Sequence, residues 1–318
     1  MSIRWSRRGF LASTAGAALA AACSSEKPGA VAKDGSVTVK HLFGETKIAA
    51  PPKRVVSAGY TEQDDLLAVG VVPIAVTDWF GGQPFGVWPW AQSKLGTAQP
   101  VVLSLADGIQ VDQIASLKPD LIVATNAGLD QDTYTKLAAI APTVAQSGSD
   151  AFFEPWKEQA TIIGQAVFKA DDMQKLITGV DNKFTTAGTN NAQLAGKSVL
   201  LLGGTLSGDG AQVLSPGWRT EFLTQMGMVM PDTGGAQISR DRMASVLDGV
   251  DLLIWTTESN DEQAALLADP TVAKLRATTQ RRNIFTGKDL AGAIAFGSPL
   301  SYPVVADSLP PMLASALA

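Results

Sequence analysis

Along most of the chain, short β-branched runs alternate with segments whose apolar residues recur at three- and four-residue steps. The runs RVVSA (54–58), VVPIAVT (71–77), LIVAT (121–125), PTVAQ (142–146), KSVLLLG (197–203), DLLIWTT (251–257) and RNIFTG (282–287) are short, apolar and bounded by turn residues, so they read as buried strands. VTVKHL (37–42) and the turn after it read as a hairpin-like edge. Helical periodicity fills the intervals at 62–69, 111–117, 130–139, 218–226, 240–247, 261–267 and 271–276, and returns in a final amphipathic helix over 299–317. Gly70 and Gly227 stand where two of these helices should stop. Strands separated by helices pair in parallel through crossovers, which predicts an α/β fold.

One segment departs from the alternation. Trp156, Ala160, Ile163, Val167, Met173, Leu176, Ile177, Val180 and Phe184 keep the helical step with no proline among them. The pattern predicts a single long helix over 155–189, about 45 Å from end to end at 1.5 Å per residue. The alternation restarts beyond it, and an aspartate leading an apolar run after a helix occurs at Asp120 and again at Asp251. The expected organisation is an α/β lobe over 37–154, a stiff linking helix over 155–189 and a similar lobe over 190–318.

Composition adds a destination. Ser6-Arg7-Arg8-Gly9-Phe10-Leu11 precedes an Ala/Gly-rich run with no acid before Glu26, which reads as a twin-arginine export signal over 1–22. That run is shorter than the roughly 20 apolar residues a lasting span needs. Cys23, the only cysteine, follows Ala20-Ala21-Ala22 and reads as a lipidation site. Leu19 lies one place further from it than a lipobox usually has, and the alanines also suit plain cleavage at an Ala-x-Ala site. Residues 23–36 are small and polar, as a flexible tether would be. Removing 1–22 takes away Arg4, Arg7 and Arg8 and no acid, so the net charge moves from −5 to −8. A chain that acidic does not seek nucleic acid.

Candidate chemistry is sparse. His41 is the only histidine, which excludes a metal site built on clustered imidazoles. It lies in an early strand with no Gly-x-Ser-x-Gly elbow nearby, which leaves no Ser-His-Asp triad. Gly203-Gly204-Thr205 lacks the spacing and the lysine of a phosphate-binding loop. The expectation is a protein with no catalytic group, no metal site and no cofactor of its own.

The ordered set PPKRVVSAGYTEQDDLLAVGVVPIAVT, IQVDQIASLKPDLIVAT, the mid-chain helix, ISRDRMASVLDGVDLLIW and ATTQRRNIFTG resembles the periplasmic-binding proteins that deliver iron-siderophore complexes, haem or cobalamin to ABC importers. It is most similar to the actinobacterial FecB-type iron-uptake lipoproteins. The resemblance covers roughly residues 37 to 316. It implies the class III architecture, two Rossmann-like lobes joined by a single long α-helix with the ligand cleft between them. It also implies a monomeric receptor, exported and lipid-anchored at Cys23 on the outer face of the cytoplasmic membrane, which hands a ferric siderophore, or alternatively haem, to an ABC importer permease. One acid on each lobe would dock on that permease, and the matching positions are Asp112 and Asp241, each aspartate where the family pattern has glutamate. Rivals from other classes are a cofactor enzyme exported by the twin-arginine route and an envelope protein binding a polymer or protein partner.

Ligands of open α/β sheets bind beyond the carboxyl ends of the strands. That rule selects Tyr60, Trp79, Phe80, Asn126, Phe152 and Phe153 in the first lobe and the segments at Thr205 and Glu258 in the second. DWFGGQPFGVWPW (78–90) is rich in rings yet keeps neither helical nor strand period, so it reads either as a packed loop or as a ligand wall, with Trp88 as part of that wall. Trp218 and Arg219 enter a helix in the second lobe, where a guanidinium would meet an anionic oxygen. Trp255 reads as core, and Trp156 suits core or ligand equally.

Overall fold

The computed structural model describes residues 29–208 and 210–318. The export signal, Cys23 and the start of the tether lie outside the described residues.

The chain opens with an antiparallel hairpin, β1 (Val37–His41) and β2 (Gly44–Ile48). Five strands follow, β3 (Val55–Ser57), β4 (Ala75–Thr77), β5 (Val101–Leu103), β6 (Leu121–Ala124) and β7 (Thr143–Ala145). They form a wholly parallel sheet in the order β5-β4-β3-β6-β7. The second lobe has β8 (Val199–Ser207), β9 (Gly210–Val213), β10 (Gln237–Ser239), β11 (Leu252–Thr256) and β12 (Asn283–Phe285) in the order β10-β9-β8-β11-β12. There β8, β11 and β12 are parallel, while β9 and β10 run antiparallel along one edge.

Both sheets are covered on both faces, which is why their strands read as continuous apolar runs. In β6, Leu121 and Val123 face a core with Val55 and the helix residues Ile162 and Ile163, while Ile122 and Ala124 face another with Val56 and Leu137. In β8, Val199 and Leu201 pack with Leu252 and Ile254, whereas Leu200 and Leu202 pack with Leu253 and Trp255. The strands missed by sequence are β5 and β10, short edge strands of three residues each, and β9, a four-residue strand between β10 and β8.

The single linking helix is corrected: it is two helices, Trp156–Ala166 and Ala170–Asn190. Between them Phe168 sits at φ 61°, Lys169 N–H donates to Gly164 carbonyl at 2.7 Å and Phe168 N–H to Gln165 carbonyl at 3.1 Å. That pair of bonds is a Schellman cap. The same cap ends the helix Glu62–Ala68, but there Gly70 takes the left-handed position at φ 80° and announces it in the sequence. Phe168 announces nothing. The apolar step runs through the break because the first helix serves both cores: Ile162, Ile163 and Ala166 face the first lobe, while Trp156 and Ala160 join Met173, Ile177, Val180 and Phe184 of the second helix in the core of the second lobe.

Trp218–Met226 is likewise divided, into a 3₁₀ turn over Trp218–Thr220 and a short helix Glu221–Gln225. The helix Gly287–Phe296 was not legible in the sequence, yet it packs the second lobe against Trp88 of the first. A side chain at Gly292 would enter the Trp88 ring, overlapping its Cη2 and lying 2.6 and 2.9 Å from its Cζ3 and Cζ2. Gly292→Val is therefore expected to destabilise the protein by about 1–3 kcal/mol through overpacking. A denaturant midpoint equal to that of the parent would contradict this packing.

Candidate functional site

The order of the first sheet reverses between β3 and β6, and the ends of those two strands open the crevice. Glu62 fixes them. Its carboxylate accepts from Gly59 N–H at 2.9 Å, just beyond β3, and from Asn126 N–H at 2.8 Å, just beyond β6. Burial pushes Glu62 up to about 7 against these bonds.

Rings from three strand ends meet above this floor. Tyr60 stacks on Trp79 at 5.6 Å and on Phe152 at 5.7 Å, and Trp79 lies 4.8 Å from Phe153 and 4.6 Å from Phe80. From the second lobe, Phe296 reaches Trp79 at 5.7 Å and Phe80 at 6.1 Å. Phe153 is held at φ 57°, a left-handed conformation that costs a side-chain-bearing residue about 1–3 kcal/mol. Its N–H donates to Asn126 Oδ1 at 2.8 Å.

Two sequence expectations are corrected here. Asn126 is fully buried, and its amide is spent on Phe153 N–H and on Thr61 Oγ1, at 3.0 Å, so it braces the crevice and does not line it. Trp88 is 1% exposed, stacked on Trp90 at 5.0 Å and packed against Gly292. It is core rather than ligand wall. The loop 78–90 thus does both things its sequence allowed: Trp79 and Phe80 face the crevice while Trp88 anchors the far end.

Across from Trp79, Arg219 lays its guanidinium 4.6 Å from the Phe153 ring centroid and 4.9 Å from that of Trp218. It is half-buried and makes no hydrogen bond or ion pair with the described residues. Burial pulls its pKa below the usual arginine value without displacing its charge. A cavity of about 230 Å³ lies between the lobes, lined by Trp79 and Phe80 on one side and by Arg219, Thr256, Glu258 and Ile294 on the other. A second hollow of about 380 Å³ lies on the outer side of Trp79, with Tyr60, Asp78 and Gln110 on its walls. Larger hollows lie outside the crevice, one between the helices Ala170–Asn190 and Ser301–Ala316 and one along the helix Trp156–Ala166. Among the described residues the arrangement offers flat apolar faces and one guanidinium without an ion-pair partner, a composition suited to holding a ligand.

Asp112 and Asp241 are exposed, each in the first turn of a helix, Val111–Ser116 and Arg240–Leu247 respectively, and so on different lobes. The Ser239 hydroxyl holds Asp241 below the usual carboxylate range.

The largest feature missed by sequence is acidic. Glu62, Asp64 and Asp65 are at most 1% exposed, although EQDDLL reads as a helix with a solvated face. Asp64 Oδ2 accepts from Trp90 Nε1 at 2.8 Å and from the Ser298 hydroxyl of the second lobe at 2.6 Å, while Oδ1 has no partner. Burial pushes Asp64 up to about 6 and Asp65 well above the usual range, and raises Glu154 as well. No lysine or arginine pairs with these carboxyls among the described residues. Raised native pKa values mean that the native state holds protons the unfolded chain has already released. Stability should therefore fall as pH rises from about 4 to about 7, by up to about 1.4 kcal/mol per pH unit for each such group. Asp64→Asn keeps an acceptor for Trp90 and Ser298, and is expected to flatten the part of that slope between pH 4 and 6 in denaturant titrations. An unchanged slope would contradict the assignment.

Comparison with known proteins places this geometry. Residues 55–290 match the periplasmic binding protein family. The crystal structure of a periplasmic solute binding protein from Mycobacterium smegmatis is 69% identical and superposes with a TM-score of 0.89 over 90% of this chain and 100% of that one. The Streptococcus pneumoniae protein PiaA in complex with ferrichrome shares the fold at 22% identity, with a TM-score of 0.70 over 88% of this chain and 98% of that one. Among curated proteins, the Bacillus subtilis protein named "Probable siderophore-binding lipoprotein YfiY" is 31% identical over 198 residues, 61% of this chain. The chain spans 58% of the length of that relative. The chain shares the class III fold, mixed α/β with parallel sheets, with the two solved structures, and it belongs to the periplasmic binding protein family.

Proposed function

We propose that the protein is an extracytoplasmic receptor that captures a ferric siderophore between its lobes and passes it to an ABC importer permease, without chemistry on the ligand. The observation that carries this reading is Arg219. Its guanidinium is half-buried on two rings, has no carboxylate partner among the described residues and faces the cavity between Trp79 and the second lobe. A chelate bearing hydroxamate, phenolate or carboxylate oxygens would supply the missing acceptor while its apolar faces meet Trp79, Phe80 and Phe153.

Capture would involve little rocking of the lobes. With the linking helix broken at Phe168, stiffness comes instead from the interface: Asp64 bound to Ser298, Lys288 Nζ donating to Gly81 carbonyl at 2.7 Å, and Trp88 seated on Gly292. The movable element is then the Trp79 ring, which stands between the inner and outer hollows.

Docking on the permease through Asp112 and Asp241 is supported by their exposure and by their positions on separate lobes. Export by the twin-arginine signal and anchoring through a lipid on Cys23 rest on the sequence, as does a monomeric state. The names of relatives that are lipoproteins agree with the anchor.

Because Trp79 lies in the crevice, its fluorescence reports occupancy. Titrating the mature protein with ferrichrome, ferric dicitrate and haem should give saturable quenching with at least one ferric chelate. Arg219→Ala should weaken that binding by about tenfold or more, since it removes a half-buried charge from the ligand's oxygens. Arg219→Lys should not restore it, because an ammonium lacks the flat fork that lies on Phe153 and Trp218. Quenching by haem alone would transfer the assignment to porphyrin, and no response to any of the three would remove the receptor reading.

A further inference from the structure

The charges around the crevice narrow the ligand class. Arg219 is the one guanidinium lining the inner cavity, and Glu258 stands on the same cavity's wall with its side chain exposed. Asp78 lines the outer hollow together with Tyr60 and Trp79. Lys288 donates to the Gly81 carbonyl at 2.7 Å and keeps its charge, but it lines neither hollow. The side chains that line the two hollows thus carry one positive charge and two carboxylates among rings, aliphatic groups and neutral polar groups such as Thr256 and Gln110. The whole chain adds to this bias, with a net charge of −5 before any processing.

We infer that the crevice takes ferric chelates that are neutral or carry a single negative charge and presents a charge barrier to polycarboxylate complexes such as ferric dicitrate. The inference rests on the receptor reading above and refines it. A neutral chelate still offers Arg219 the polarised oxygens of its iron ligands, so one guanidinium is enough to orient it. A complex with several negative charges would find one cation to neutralise it and two carboxylates to repel it, in a crevice whose low-dielectric walls focus the field. Glu258 and Asp78 would act as discriminators by repulsion, which sets specificity by weakening the wrong ligand.

The test is a pair of fluorescence titrations at low ionic strength, with ferrichrome as the neutral probe and ferric dicitrate as the anionic one, on the parent and on a variant carrying Asp78→Asn and Glu258→Gln. In the parent, ferrichrome should bind at least about tenfold more tightly than ferric dicitrate, the size of effect expected when one unit charge faces another across a few ångströms of protein surface. The double variant should narrow the preference for ferrichrome over ferric dicitrate by about fivefold or more, because the charged probe feels the lost carboxylates far more than the neutral one does. Both substitutions are nearly isosteric, and an unchanged denaturant midpoint confirms the fold. Parent protein that binds ferric dicitrate as tightly as ferrichrome overturns the inference and leaves the receptor reading standing, as does a double variant with unaltered preference. Failure of both probes in both proteins overturns the two together.

Discussion

The Asp64 carboxylate is the interaction on which the rest of the molecule turns. It starts from a first-lobe helix, receives the indole N–H of Trp90 from the aromatic loop and receives the hydroxyl of Ser298 from the second lobe. The same hydroxyl accepts the N–H groups of Leu300 and Ser301, which open the last helix. Three elements are thereby located by one group. Burying a carboxylate with one oxygen unpartnered is costly, and the raised pKa is the visible part of that cost. What it fixes is the relative setting of the lobes, since the connection at Phe168 could not do so alone.

From that anchor the loop 78–90 divides by function. Its far end is core: Trp88 and Trp90 stack on each other and pack edge-on against Phe296. Its near end, Trp79 and Phe80, is left half-exposed over the crevice. Phe153 meets Trp79 from another strand end, and its strained backbone is held by a buried asparagine. Strain at one ring, a brace behind it and an unpaired guanidinium against its face are what a preorganised binding surface requires.

Much of this was legible in the sequence, for physical reasons. Strands buried on both faces print as continuous apolar runs, so β3, β6, β8 and β11 were readable. The rule that ligands sit beyond strand ends then brought out Tyr60, Trp79 and Phe153 without any structure. Arg219 was readable as a guanidinium at the entry of a second-lobe helix, where it could meet an anionic oxygen. What escaped depended on tertiary partners. The cap at Phe168 has no glycine to mark it, and the burial of Glu62, Asp64 and Asp65 depends on Gly59, Asn126, Ser298 and Gln159, residues scattered along the chain. Phe296 escaped because half of its helix is Gly or Ala, and glycines at its start and middle argue locally against a helix that tertiary packing nevertheless forms.

A ferric chelate held between Trp79 and Arg219 would be marked by its own metal. Anomalous diffraction at the iron absorption edge, from crystals grown with ferrichrome, would locate it. The expected result is one iron peak in the crevice, with the chelate oxygens against the Arg219 guanidinium and the Trp79 ring turned from its present stack. An iron peak on an outer face, or a crevice still filled by Trp79 while the chelate is bound elsewhere, would contradict it.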